Sequence, residues 1–301
     1  MPELPEVETV ARGLQAALPA RRILTVRLGK TDFIEDPPAL ESQLPGSRVE
    51  SVRRYGKFML IDLQPRDPHE PKFALQVHLG MTGRMVVCAP QEPVLPHTHV
   101  FLALDDGREL RYTDPRRFGF MRLVPESERA ALLKSVGLEP LDANETDFTG
   151  TIHSRRARIK ALLLDQHVFG GMGNIYTDES LWRARINPKR LGANLASAEI
   201  HQLYKAMRQV LTEAISARGS SISDFVDSYG LPGNFQQRHR VYGREGKKCF
   251  HCGTLIRREI VAGRSSYFCP HCQPAPRTRK KLPRKKNLGR RAARKPSGGS
   301  A

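Results

Sequence analysis

The chain begins Met1-Pro2-Glu3-Leu4-Pro5-Glu6-Val7-Glu8, which sets a proline against the start methionine with three carboxylates close behind. Removal of Met1 would leave Pro2 as a terminal secondary amine. Such an amine can attack a sugar C1′ or an aldehyde and pass through an iminium ion, chemistry otherwise served by a Schiff-base lysine. An ordinary α-amino group titrates near ~8 and is roughly a tenth free base at pH 7, whereas a lysine near ~10.4 is almost wholly protonated. A terminal nucleophile therefore needs less tuning, and Glu3 and Glu6 stand beside it as proton donors and acceptors. On these eight residues alone a plainer reading is favoured. Pro5 opens a helix, where a missing N–H is harmless, and Glu6 and Glu8 suit its positive end.

The second group is Cys249-Phe-His-Cys252 followed by Cys269-Pro-His-Cys272, a C-x2-C-x16-C-x2-C pattern. Two close pairs of thiolates separated by the length of a β-hairpin suit tetrahedral Zn²⁺ better than disulfides or another metal. His251 and His271 fall between cysteines and are expected to face solvent, and Cys88 reads as a free thiol. The hairpin carries Arg257, Arg258 and Arg264, residues that either reach a phosphate or lie solvated on the surface. The glycine-rich break Gly170-Gly171-Met172-Gly173-Asn174 could aim backbone N–H groups at a phosphate, and Arg155, Arg156, Arg158 and Lys160 just before it favour that over a plain interhelical turn. Met81 and Phe118 stand on glycine turns near Arg116 and Arg117, where they suit wedges pushed into a base stack. Taken singly, each would more often be a core residue.

The elements that must hold these residues follow from periodicity. Val7, Val10, Ala11, Leu14 and Leu18 recur at helical spacing and predict an amphipathic helix over residues 5–18. Residues 22–123 change to short alternating runs. Phe73, Leu75 and Val77 share one strand face and Ala74, Gln76 and His78 the other, which predicts a β-sandwich or barrel. A helical segment near 127–136 and a polar stretch near 142–150 mark a domain boundary. Beyond it Ile159, Leu162, Leu163 and Leu164 predict a helix broken at the glycines, Asn174 is placed to cap the next one, and Pro188 forbids its continuation. A longer helix capped by Ser197 carries Ile200, Leu203, Met207, Val210 and Leu211, and a Gly/Ser/Asn-rich loop spans 219–234.

At 301 residues the chain can build two cores, and a net charge of +18 with pI near 10.1 points to a polyanionic partner. Eleven Lys or Arg and no acid lie between Pro276 and Ala301, leaving +7 on the rest. That tail has little to bury and is expected to be disordered and to attract phosphates without specificity. No apolar run is long enough to cross a bilayer and no signal peptide is visible, so a cytoplasmic, nucleoid-associated, unsecreted protein is expected.

Together these elements resemble the formamidopyrimidine-DNA glycosylase (MutM) family. The resemblance runs from Met1 to about Gln273 through Pro2-Glu-Leu-Pro-Glu-Val-Glu-Thr9, Gly56-Lys57-Phe58, His78-Leu-Gly-Met-Thr-Gly83, Arg111-Tyr-Thr-Asp-Pro-Arg-Arg-Phe-Gly119, Gly171-Met-Gly-Asn-Ile-Tyr176, Val241-Tyr-Gly-Arg244 and the four cysteines. It implies an α+β multidomain fold: an N-terminal helix plus β-sandwich domain over residues 1–135, a helix-two-turn-helix domain over 150–235, a zinc finger over 239–273 and the tail over 274–301. It implies a bifunctional base-excision enzyme that removes 8-oxoguanine and formamidopyrimidines from double-stranded DNA and nicks abasic sites by β,δ-elimination, working as a monomer with one structural Zn²⁺ on Cys249, Cys252, Cys269 and Cys272.

By the same resemblance Pro2 forms the Schiff base, Glu3 protonates the opening sugar, Glu6 supports the site, and Lys57 and Arg264 serve the first and second eliminations. His97, Arg116 and Arg156 match DNA contacts, Lys160 and Asn174 grip phosphate, and Met81, Arg116 and Phe118 fill the hole left by the flipped nucleotide. Ser223 stands where many relatives carry a basic residue, which leaves lesion preference less determined than the chemistry. Two other readings compete: an endonuclease VIII-like enzyme for oxidised pyrimidines, against which Leu4 and the complete wedge set speak, and a non-catalytic DNA-binding zinc protein.

Overall fold

The computed structural model describes residues 2–275; Met1 and the tail from Pro276 onward, with the disorder expected of it, lie outside the described residues. Helix α1 (Leu4–Ala17) is entered from Glu3, with Pro5 in its first turn, one residue from the predicted span. Eight strands follow, β1 (Ile23–Leu28), β2 (Arg48–Tyr55), β3 (Phe58–Gln64), β4 (Phe73–His78), β5 (Arg84–Cys88), β6 (Thr98–Leu104), β7 (Glu109–Thr113) and β8 (Phe120–Pro125), with a short helix α2 (Pro37–Gln43) between the first two. They form two four-stranded sheets, β1-β6-β7-β5 and β2-β3-β4-β8, antiparallel throughout. Their inner faces close on one core with Val7, Val10 and Leu14 of α1. Strand β4 departs from simple alternation, since Ala74 and Gln76 are buried as well as Phe73, Leu75 and Val77. Helix α3 (Glu126–Lys134) explains this: its Leu132 and Leu133 pack on Leu60, Ala74 and Val124 and cover the outer face.

The polar stretch expected to be a boundary is largely helix α4 (Glu145–His153), capped by Asn144, which accepts from the Asp147 N–H at 2.9 Å. Only Phe148 and Ile152 of α4 are buried, too few apolar positions to show a period. Helices α5 (Ile159–Leu164), α6 (Asn174–Arg183) and α7 (Ser197–Ser216) complete a second core. The caps differ from expectation. Gly173, not Asn174, is the N-cap of α6, and Ala196, not Ser197, precedes α7, where Glu199 accepts from the Ala196 N–H at 2.9 Å. Helix α6 also stops well before Pro188. Arg185 turns to φ 58°, the Ile186 N–H returns to the Leu181 carbonyl at 2.9 Å and the Arg185 N–H to Trp182 at 3.0 Å, a Schellman termination built on arginine instead of glycine.

Helix α1 joins the two cores. Its Leu4 packs with Phe169, Met172 and Tyr176 of the helical core, while the rest of its apolar face belongs to the sandwich. Arg54 of β2 secures the same seam, bonding Glu8 of α1 at 2.8 Å and both carboxylate oxygens of Glu139 at 2.8 and 2.9 Å. The chain finishes in a hairpin, β9 (Arg257–Val261) and β10 (Arg264–Phe268), flanked by the two cysteine pairs.

Candidate active site and zinc hairpin

Pro2 lies buried in non-helical backbone just ahead of α1, at the seam between the two cores. The segment is pinned by the Leu4 N–H, which donates to the Gly171 carbonyl at 3.0 Å. The next side chain, Glu3, enters the mouth of α6 and accepts the Ile175 and Tyr176 N–H groups at 3.1 and 3.3 Å. The glycine break therefore does meet an anion, but that anion is the protein's own carboxylate. Gly173 makes room for it, because a Cβ there would lie 2.1 Å from Glu3 Cδ.

Glu6, one turn along α1, accepts the Glu3 N–H at 2.8 Å, the Ser220 N–H at 2.7 Å and the Tyr176 hydroxyl. Burial, and then the neighbouring Glu3 charge, push the Glu6 carboxyl up to about 7. Burial also raises Glu3, opposed first by the Lys57 charge and then by the two helix N–H groups. Two carboxylates this close and this buried titrate as a pair that holds a proton near neutrality, the condition for a general acid.

Lys57 sits on the tight turn between β2 and β3, where Gly56 has φ 55° and its Cβ position faces the backbone of Gly170 and Gly171. Burial lowers the Lys57 ammonium, and Arg264 lowers it further while Glu3 and Glu6 oppose the shift. The five residues expected in one catalytic site thus come from three places, Pro2, Glu3 and Glu6 from the start of α1, Lys57 from the β2–β3 turn and Arg264 from the tip of the zinc hairpin, while the mouth of α6 supplies backbone N–H groups to Glu3. His78 lies at the end of β4; burial and the Lys57 charge lower its pKa, and its Nδ1 accepts the Gly80 N–H at 3.0 Å.

The wedge candidates stand apart on the sandwich. Met81 is 39% exposed and Phe118 56%, and the Arg116 guanidinium lies 4.4 Å from the Phe118 ring centre. Neither side chain belongs to either core. Their turns are locked by Asp114, wholly buried, which accepts Thr82 Oγ1 at 2.5 Å, the Tyr112 hydroxyl at 3.2 Å and the Arg116 and Gly119 N–H groups at 3.3 and 2.9 Å. Gly80, at φ 61°, is forced by contact with the Phe118 backbone, 2.3 Å from a would-be Cβ. His97 is exposed at φ 65°, and its carbonyl accepts the Asp114 N–H at 3.0 Å, so the same aspartate segment fixes it. Arg156 is exposed in the loop between α4 and α5. Ser223 is exposed in the 219–234 loop, whose start is tied to the site by the Ser220–Glu6 bond.

Lys160 is placed otherwise than expected. It is fully buried, with Nζ 2.7 Å from Asp178 Oδ1 and 2.8 Å from the Ser265 carbonyl, and it presents no charge to a phosphate. Asn174 remains partly exposed at the α6 mouth with its Oδ1 unpartnered. The residues that sequence reasoning missed are mostly polar groups inside α6. Asp178 and Glu179 are both buried, and Glu179 accepts the N–H groups of Arg240, Val241 and Tyr242 at 2.9 to 3.0 Å. A run of Thr-Asp-Glu-Ser in a helix with no free face was the available signal.

The four cysteine Sγ atoms lie within 4.8 Å of one another. Separations of 3.4, 3.5 and 4.0 Å between them bracket the ~3.8 Å edge of a tetrahedron with ~2.3 Å Zn–S bonds. His251 and His271 are exposed, as expected, and stay out of the cluster. Cys249, Cys252, Cys269 and Cys272 fit one structural zinc.

A sandwich riveted by its N-terminal helix to a helical domain, with a four-thiolate hairpin packed on helix α6, defines a helix-two-turn-helix protein with a zinc finger. Family models match in the same order: the formamidopyrimidine-DNA glycosylase N-terminal domain over residues 1–121, the formamidopyrimidine-DNA glycosylase H2TH domain over 136–226, and the zinc finger found in FPG and IleRS over 246–275. The formamidopyrimidine-DNA glycosylase of Pelotomaculum thermopropionicum is 46% identical, covering 91% of this chain and 99% of its own, and that of Herpetosiphon aurantiacus is 44% identical over 91% and 100%. Among solved structures, Lactococcus lactis Fpg with abasic-site DNA is similar at TM-score 0.82 and 32% identity, covering 91% of this chain and all of its own. MutM with carbocyclic 8-oxo-G DNA aligns at TM-score 0.81 and 32% identity with the same coverage. The chain belongs to the formamidopyrimidine-DNA glycosylase family.

Proposed function

We infer that this protein excises oxidised purines, 8-oxoguanine and formamidopyrimidines, from double-stranded DNA and then nicks the abasic strand. The observation that carries this is the placement of Pro2 beside two buried carboxylates, Glu3 and Glu6, at the seam between a wedge-bearing sandwich and a helix mouth. Relatives solved with 8-oxo-G and abasic DNA support the substrate class. Extruding the lesion takes a few kcal/mol, less for a damaged base. Met81 and Phe118 fill the gap, with Arg116, His97, Arg156 and Asn174 as DNA contacts.

Pro2 nitrogen, freed by loss of Met1, attacks C1′ as the base leaves. Glu3 delivers a proton to the sugar oxygen as the C1′–O bond opens, and the iminium forms on Pro2, whose N–H proton leaves with the departing base, while Glu6 supports the site. Loss of a C2′ proton then breaks the C3′–O bond, served by Lys57. Loss of a C4′ proton breaks the C5′–O bond, served by Arg264, and water releases the sugar fragment from Pro2. Positioned acid–base groups supply ~10²- to 10⁴-fold, and covalent capture with fixed electrostatics must supply more. Zinc on the four thiolates would supply no bond chemistry; it would hold the hairpin that carries Arg264.

Labour divides along the chain, with the nucleophile and wedges in 1–135, backbone grip in 150–235, the Arg264 hairpin in 239–273 and salt-dependent affinity in the tail from 274. The enzyme acts as a monomer in the cytoplasm, on the nucleoid. Borohydride should trap a covalent complex with an 8-oxoguanine duplex, and a form with an uncleavable N-terminal extension should neither trap nor nick. Normal nicking by that extended form would overturn the mechanism. Faster excision from a thymine-glycol duplex than from an 8-oxoguanine duplex would overturn the lesion class.

A further inference from the structure

Lys160 and Asp178 form an ion pair from which water is excluded, on helices α5 and α6. Their remaining bonds go to one place. Lys160 Nζ donates to the Ser265 carbonyl at 2.8 Å, and Asp178 Oδ2 accepts the Tyr267 N–H at 2.9 Å. Ser265 and Tyr267 bracket Ser266 on β10, one and three residues after Arg264. The strand is short, and its partner β9 is mostly exposed, so the hairpin has little core of its own with which to fix its direction. Helix α6 also carries Glu3's anchoring N–H groups at its mouth. One helix therefore holds the carboxylate of the first chemical step and, through Asp178, the strand that delivers Arg264.

We propose that the Lys160–Asp178 pair is a positioning device that clamps β10 and aims Arg264 at the sugar, so that it governs the second elimination and not the first. This rests on the glycosylase–lyase reading above. In the first elimination a proton leaves C2′ and the C3′–O bond breaks, the phosphate departing with the electron pair. In the second a proton leaves C4′ and the C5′–O bond breaks in the same sense. Only the second is served by a residue on β10; Pro2, Glu3, Glu6 and Lys57 are held by other elements. The electrostatics agree with the placement, since the Arg264 charge acts on both Lys57 and Lys160.

The test is a single-turnover assay on an abasic-site duplex that resolves the 3′-unsaturated aldehyde left by the first cut from the 3′-phosphate left by the second. In Asp178→Asn the ratio of second to first cut should fall by at least tenfold, with borohydride trapping and the first cut within about threefold of wild type. Lys160→Met combined with Asp178→Leu, which replaces the buried pair by apolar side chains, should show the same ratio if Asp178→Asn does not fold. Adding Arg264→Gln to either variant should change the ratio no further. An unchanged ratio, or both cuts falling in parallel in a zinc-replete protein, would overturn the proposal. Absence of any trapped complex or first cut in the wild type would instead overturn the underlying reading.

Discussion

Gly173→Ala tests whether the carboxylate of Glu3 needs the mouth of α6. The backbone there has φ −133° and ψ −166°, open to alanine, so the effect is steric and not conformational. The added Cβ would lie 2.1 Å from Glu3 Cδ and 2.4 Å from Oε1. Ordinary carbon contact is ~3.5–4.0 Å, so the carboxyl must retreat by roughly 1.5 Å. That breaks the bonds from the Ile175 and Tyr176 N–H groups, which contribute about 0.5–1.5 kcal/mol each to a protonated carboxyl and about 1.5–3 kcal/mol each to an ionised one. Misplacement of a reacting group by ~1 Å slows chemistry by about 10²-fold, so single-turnover excision of 8-oxoguanine should fall by 10²- to 10³-fold on the order of that estimate. Gly150→Ala is the control. Nothing lies within 4 Å of its Cβ position in α4, and that variant should gain about 1 kcal/mol in urea unfolding with normal excision. A folded Gly173→Ala enzyme that excises within threefold of wild type would refute the role assigned to the helix mouth.

Glu6 is raised from 4.5 to about 7, so folding favours its protonated form and the stability linked to it is lost as pH rises through that range. Glu6→Gln, always neutral, should show a flatter decline in unfolding free energy between pH 4.5 and 7.5, by at most about 3 kcal/mol; superimposable pH curves would count against the shift. Metal analysis should find one zinc per chain, and chelation or Cys269→Ser should lower the melting temperature and abolish nicking, whereas an unaltered melting curve after complete metal removal would exclude a structural role. The hairpin turns through Ala262 and Gly263 at φ 53° and 70°, a geometry suited to Asn-Gly. Ala262→Asn should therefore stabilise the protein by about 0.5–1 kcal/mol in chemical denaturation, and a destabilised variant would contradict the turn assignment.

What the sequence made legible was what lies contiguous in it. The cysteine spacing and the apolar stripe of α1 each stood within a few residues and appear as read, and Met81 and Phe118 lie exposed on their turns. What escaped it was pairing at a distance. Nothing near Lys160 announces that Asp178 neutralises it, so an arginine-rich neighbourhood suggested a phosphate contact that burial excludes. Likewise the glycine break was read for its helix dipole, without sight of the carboxylate 170 residues earlier that fills it. Helix α4 was hidden because its stability comes from a cap and two buried residues, not from a repeating face.

The division of α1 between two cores has a consequence for biosynthesis. Pro2 is among the first residues to leave the ribosome, but Leu4 has no core until Phe169 to Tyr176 have been made, and Glu6 lacks its Tyr176 and Ser220 partners until those residues follow. A nascent sandwich therefore carries the nucleophile with its acid unplaced, and a truncated product would hold Pro2 and Glu3 without the helix mouth that fixes the carboxyl. The site is complete only once Ser220 and the hairpin that carries Arg264 have been made.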